Sequence, residues 1–274
     1  MEQTVIRLGY CPTRRDVFSR EEAIKYAQLI QQKIQDFPVE IVDISDINEE
    51  HLLFQDSDLP AIIDRFQSRK VDAVFFPHCN FGSENLVAQV ARALQVPVLL
   101  WGPRDDAPEK NGMRSRDTQC GLFATGKILR RHNVPFTYLT NSWLDSPSFA
   151  KGFQRFLAVA SVVKSMKHLR ILQISTRPEP FCSVICNESE LLERFDIHLY
   201  PITLTELVMK MEEIRAEKSA ELIQLVTFIR QNISRKDKLE DIEKMAALKL
   251  AVRFYCEQFR CRAAAIQCWN ALQD

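Results

Sequence analysis

Two rhythms of apolar and polar positions alternate along this chain. Short β-branched and aromatic runs lie at Thr4–Gly9, Val39–Ile44, Val71–Pro77, Val98–Trp101 and Phe136–Thr140. Between them, over about 19–37, 47–69, 83–95 and 118–132, apolar residues return every third or fourth position, the period of a helix with one buried face. Ser19, followed by Glu22, has the form of a capping box, and Pro38 marks the break after the first helix. Strands and helices in strict alternation predict an α/β fold with a parallel sheet. Five strands make one doubly wound domain of flavodoxin-like or Rossmann-like pattern.

The alternation then restarts. A helical stretch over 146–166 leads into an apolar run at Leu169–Ser175, a helix at Glu188–Phe195 and a run at Ile197–Ile202. Charged helical sequence follows from Thr205 to Phe259, in which Ile242, Met245, Leu248, Val252, Tyr255 and Phe259 form a stripe at steps of three or four. Ala263–Trp269 reads as a buried strand. These elements predict two doubly wound domains, 1–166 and 167–274. The second shows only three strands, fewer than a parallel sheet covered on both faces normally has. It is therefore expected to be incomplete, its remainder missing or supplied by another chain. No internal repeat, low-complexity segment or Pro/Gly-rich linker interrupts the pattern.

Composition narrows the function classes. The 36 basic and 36 acidic side chains balance, so the whole chain offers no field to draw in nucleic acid or an anionic membrane. No apolar run approaches the roughly 20 residues of a membrane helix. MEQTVIRLGY enters a strand with no basic-then-apolar leader, which predicts a cytoplasmic protein. Eight cysteines without a CxxC predict scattered buried thiols in a reducing compartment rather than a zinc site.

Ligands of open α/β sheets bind beyond the carboxyl ends of the strands. After the first strand, Arg14 and Arg15 precede a helix and could take hydroxyls, a carboxylate or a phosphate, or be a solvated pair or an interdomain salt bridge. After the third, His78-Cys-Asn-Phe-Gly-Ser83 opens a helix whose free amides, with the Asn80 side chain, would face the crevice. His78 alone reads as structural. No GxGxxG or GxxxxGK[ST] occurs, which counts against a nucleotide enzyme. A long polar loop, 102–117, carries Arg104, Arg114, Arg116 and Asp117, suited to a polyhydroxylated ligand, a neighbouring subunit or plain solvent. In the second domain Pro178 and Pro180 would stiffen the loop bearing Arg177 and Glu179, and Asn187 would cap the next helix.

The phrases FFPHCNFGSEN, PVLLWGPRD, RSRDTQCGLFATGKILRRHNVPFTYL, RPEPFCSVICNESELLERF and AAIQCW occur in this order. Together they resemble the bacterial L-fucose/L-arabinose isomerase-like family, over nearly the whole chain. The resemblance implies aldose–ketose interconversion through an enediol at a divalent metal, typically Mn2+, and assembly into a homo-oligomer. It also implies that the metal-binding carboxylates and histidine lie beyond the AIQCW segment, so this chain would bind no metal alone. It would be an N-terminal fragment of a sugar isomerase, inactive without a C-terminal complement chain. It would still contribute the wall of a monosaccharide pocket, for a deoxyhexose or a pentose. Arg14, Arg15 and Phe81 are the positions implied for that wall, with Arg114 and Asp117 behind them. The bare loops fit almost as well a non-catalytic, two-lobed sugar-binding or regulatory module.

Overall fold

The computed structural model describes residues 5–108, 110, 112–233, 238–268 and 272. The chain divides into two compact units, Met1–Lys164 and Ser165–Asp274. In the first, strands β1 (Ile6–Tyr10), β2 (Val39–Val42), β3 (Ala73–Pro77), β4 (Val98–Trp101) and β5 (Thr137–Tyr138) form a parallel sheet in the order β2-β1-β3-β4-β5. Every residue of β3 and β4 is buried, which is why AVFFP and VLLW are apolar without alternation. Helices α1 (Arg20–Ile34), α2 (Leu59–Ser68), α3 (Glu84–Leu94), α4 (Thr118–Arg131) and α5 (Pro147–Met166) cover its two faces. On one face α3 packs between α2 and α4 over Phe66, Phe76, Leu100 and Leu129. On the other, α1 and α5 enclose Phe75, Trp101, Phe149 and Phe153, with the Trp101 and Phe149 rings 4.4 Å apart.

In the second unit β6 (Arg170–Ile174), β7 (His198–Ile202) and β8 (Ala263–Ile266) form a parallel sheet in the order β7-β6-β8. Helices α6 (Glu188–Phe195), α7 (Leu204–Glu217), α8 (Ala220–Asn232) and α9 (Leu239–Gln258) complete it, α9 packing on both α7 and α8. No helix among the described residues is long and apolar enough to cross a membrane.

Helix starts follow sequence closely. The Ser19 hydroxyl accepts from the Glu22 N–H at 3.1 Å, but the Glu22 carboxylate turns to Lys25 instead of closing the box. Asn187 caps α6 in the same way, and Thr203 with Glu206 forms the full reciprocal box at α7. Helix ends are less orthodox. Gln95, Asp196 and Lys218 close α3, α6 and α7 in the left-handed region, where glycine is the usual occupant.

Four expectations change. The helix expected over 47–69 starts only with a 3-10 turn at Asp56–Asp58. The Asn48 side chain captures the preceding backbone, its oxygen accepting from Glu50 and Leu52 N–H and its nitrogen donating to the Leu52 carbonyl and Asp58. The α9 stripe fails only at Met245, which is exposed, while Leu248, Val252, Tyr255 and Phe259 pack against the core. Ile242 is buried together with Ala246, Ala247, Leu250 and Ala251, which the stripe did not include. Alanines let α9 lie close to its neighbours, and a count of large apolar residues overlooks them. β8 is an edge strand with all four residues exposed, not a buried one, and Trp269 lies outside the described residues. Of the cysteines only Cys11 and Cys79 are buried, while Cys120, Cys182, Cys186 and Cys268 are exposed.

Candidate functional site

The order β2-β1-β3 reverses the direction of winding between β1 and β3, and the loops leaving those strands meet at the carboxyl end of the sheet. Thr13 joins them. Its backbone bridges both Leu53 and His78, and its hydroxyl donates to the Leu53 carbonyl and accepts from Ser83 N–H at 2.9 Å. Asn80 completes the junction. Its oxygen accepts from the N–H groups of Arg15, Phe81 and Gly82, and its nitrogen donates to the carbonyls of Arg15 and Ser19. The buried amide thus knits two loops together instead of facing a ligand, contrary to the expectation from sequence.

On this junction sit the half-exposed groups. The Arg15 guanidinium lies 4.3 Å above the Phe81 ring, and Phe81 stacks on Phe18 at 5.5 Å. Glu84, in the first turn of α3, approaches Arg15 at 3.5 Å. A planar cation on an aromatic face, with a carboxylate beside it, offers donors, acceptors and a flat apolar surface to a polyol. Arg14 plays a different part. It is 5% exposed, stacked 3.7 Å over Phe54, with Nε and Nη2 donating to Glu50 and Nη1 to Asp16. Every nitrogen of its guanidinium is engaged, so it fixes the loop that presents Arg15.

The 102–117 loop closes against the same junction. The Asp117 N–H donates to the Asn80 carbonyl, and Asp105 accepts from Thr118 and Gln119 at the start of α4. The Asp117 carboxylate is half-exposed and takes the Cys120 thiol as a hydrogen-bond donor, which holds that thiol above its ordinary pKa. Arg114 is exposed, next to Ser115, whose carbonyl accepts from Ser19 N–H. Structure therefore gathers Arg15, Phe81 and Asp117 around one junction, anchors Arg14 beneath it and leaves Arg114 at its margin.

Glycines set the close approaches. A Cβ on Gly121 of α4 would fall 1.7 Å from the Phe81 carbonyl oxygen, so this helix packs directly on the loop. Gly82 has φ +85°, and a Cβ there would meet the His78 ring at 2.5 Å.

Arg116, unlike its neighbour Arg114, is buried. It lies 3.9 Å over the Tyr26 ring and donates through Nη2 to Asp106 and to the Arg104 carbonyl. The sequence groups Arg116 with the loop arginines for a ligand and aims Asn80 at the crevice, and it marks neither Asp105 nor Glu50 as a site-building residue. Their partners lie 10 to 65 positions away, and only the short Asn80-Phe81-Gly82 turn offered a local signal.

His78 lies under the junction, fully buried, with Nδ1 facing the Phe76 carbonyl and Nε2 2.8 Å from Thr125 Oγ1. A carbonyl can only accept, so Nδ1 carries the proton and Nε2 accepts from the threonine hydroxyl. Burial pulls its pKa down to about 4, with the nearby Arg15 charge acting in the same sense. As pH falls below about 6.5 the unfolded chain binds a proton that the folded chain refuses, so stability should fall between those values, by about 3 kcal/mol in all. The imidazole resonance should stay unshifted from pH 8 to 5 in a proton NMR titration. A midpoint near the ordinary histidine value would contradict this burial.

The second unit has an open cleft of about 560 Å³ at the carboxyl ends of β6 and β8, lined by Ile171, Ser175, Arg177, Ile185, Leu199 and Gln267. Arg177 does not reach across it but donates to the carbonyls of Pro178 and Glu179, within its own loop. Among the described residues no three His, Cys, Asp or Glu side chains converge to hold a metal ion. These residues thus do not fit a divalent-metal centre. A family model described as fucose/sulfoquinovose isomerase, N-terminal domain, matches residues 9–167. A comparison with curated proteins finds no match.

Proposed function

The chain belongs to the fucose/sulfoquinovose isomerase family, through its N-terminal domain, and from that premise we propose that its first unit forms one wall of a monosaccharide pocket. The reaction served is an aldose–ketose isomerisation. The observation that carries this reading is the Arg15–Phe81 stack, half-exposed at the point where the sheet reverses its winding. The part of the Phe81 ring left exposed between Arg15 and Phe18 offers apolar surface to the sugar, and Arg15 and Glu84 reach for hydroxyls. Asp117 contributes an acceptor at the edge, Arg114 a peripheral donor, and Arg14 orientation. This chain binds and orients the sugar. The proton carrier, and the Mn2+ that the resemblance implies, come from residues outside those described, on a complement chain or domain.

The test is calorimetric titration of the purified chain with L-fucose and with sulfoquinovose, one neutral and one anionic. Arg15→Ala and Phe81→Ala should each weaken binding about five-fold, as expected for loss of an exposed cation–aromatic contact, with Arg15→Ala costing the sulfonate sugar more. Equal affinity in wild type and both variants would remove the wall from this junction. Manganese-dependent isomerisation by the purified chain alone would refute the assignment of catalysis to a complement. Tight, metal-independent binding with no rescue of catalysis by a complement would favour the regulatory sugar-binding module.

A further inference from the structure

Helix α9 ends in a turn that brings two thiols together. The Cys261 N–H donates to the Cys256 carbonyl at 2.7 Å, and the Arg260 N–H donates to the Glu257 carbonyl at 3.1 Å. Phe259 caps the helix and Arg260 follows it at φ +55°. This pair of bonds around a left-handed residue is a Schellman motif, in which the side chains of the first and last positions meet. Those positions are Cys256 and Cys261. A backbone bond between them sets their Cα atoms about 5–6 Å apart, within the span that a disulfide bridges. Both side chains are half-buried and pack against the same core cluster.

The same turn hangs β8 from α9. The Arg170 guanidinium donates to the Phe259 carbonyl at 3.4 Å, and the Arg262 N–H donates to the Arg170 carbonyl at 2.9 Å, just before β8 pairs with β6. Phe259 also stacks on Tyr200 of β7, with ring centres 5.7 Å apart. Ala265 and Ile266 of β8, with Gln267 and Cys268 beyond them, line one side of the cleft of about 560 Å³. Whatever fixes the turn therefore fixes that wall.

We propose that Cys256 and Cys261 form a redox modification site, at which a low-molecular-weight disulfide oxidises the pair and staples the turn that carries β8. One protein thiolate attacks a sulfur of the small disulfide and expels the first small thiol, leaving a mixed disulfide. The second protein thiolate attacks the protein sulfur of that bond and expels the other small thiol. Two protein thiols are oxidised to one disulfide and one small disulfide is reduced to two thiols, so two electrons and two protons move. Burial raises both thiols above their ordinary pKa, and Glu257 raises Cys256 further. Cys261 feels the Cys256 thiol in the same sense but the Arg170 charge in the opposite one, which assigns it the first attack.

The test incubates the full chain with excess oxidised glutathione, blocks the remaining thiols and maps tryptic peptides without reduction. Cleavage after Arg253, Arg260 and Arg262 should release peptide 254–260 joined to peptide 261–262, and reduction should separate them. Cys256→Ser should stop at a glutathione adduct on Cys261. Hydrogen exchange at the amides of residues 260–264 should slow about ten-fold on oxidation of the wild type and stay unchanged in Cys261→Ser. Circular dichroism verifies that each variant is folded, and the wild-type peptide map decides the pairing without them. Free thiols at both positions, a stable glutathione adduct in the wild type, or a link from either cysteine to a third one overturns the site. The expected link with unchanged exchange overturns the staple.

Discussion

Gly121→Ala should unfold the first unit at a markedly lower temperature and abolish sugar binding with it. The added methyl would sit 1.7 Å from the Phe81 carbonyl oxygen and 2.6 Å from its carbonyl carbon, both backbone atoms with no rotamer to move away. Either α4 shifts, against the burial of Leu122 and Leu129 and the Asp105 bonds at its first turn, or the Phe81 peptide does. Overpacking costs typically about 1–3 kcal/mol where side chains can yield, so a backbone clash belongs at or above the top of that range. For a unit of this size that is roughly 6–12 °C in Tm. Gly126→Ala, on the same helix, is the control. Its nearest neighbours are atoms of the Phe136 ring at 3.2 and 3.5 Å, and alanine's helical preference of about 1 kcal/mol offsets that contact. Equal melting temperatures for the two variants would mean that α4 does not bear on the loop.

Glu50→Gln comes next. One carboxylate accepts from Arg14 at 2.5 and 3.0 Å and from Arg20 at 2.6 Å, and the Arg14 and Glu50 side chains are only 6% and 10% exposed. Removing one member of a buried pair strands the other, at about 3–5 kcal/mol. Because Asp16 still holds Arg14, the lower end is expected, read from denaturant unfolding at pH 7. The loss should depend on acid in a defined direction. Burial pushes the Glu50 carboxyl up, but hydrogen bonds from Arg14 and Arg20 outweigh it and hold the group below its ordinary value. Its contribution is therefore whole above the unfolded value of about 4.3 and disappears as pH falls through the lower folded one. The gap between wild type and variant should stay constant from pH 8 to 5 and narrow below that, a window distinct from that of His78. An unfolding free energy unchanged by the substitution would show that Arg14 does not depend on this partner.

Much of the architecture was legible in sequence, because its determinants are local. Val98–Trp101 and Glu188–Phe195 have the same bounds in both readings, since a fully buried strand and a side-chain-capped helix each announce themselves within a few residues. The parallel sheets followed from the alternation itself. What sequence could not display was pairing at a distance. Nothing near Arg14 indicates Glu50, and nothing near Asn80 indicates that its amide ties Arg15 to Ser19. The site reading placed Arg14 beside Arg15 as an equal, because adjacency in sequence hides which side chain turns inward. In α9 the stripe of large residues was legible apart from Met245, but the buried Ala246, Ala247 and Ala251 beside it were not.

The left-handed helix ends have a consequence for how this sequence can vary. Among the described residues nine non-glycine residues, Lys70, Gln95, Asn133 and Lys218 included, occupy positive φ, while the sequence has only seven glycines. Each such position carries a backbone cost on the order of 1 kcal/mol that glycine would not. Together they amount to a distributed store of relievable strain at the joints of the fold. A lineage could draw on that reserve to absorb harmful changes elsewhere without repacking its interior.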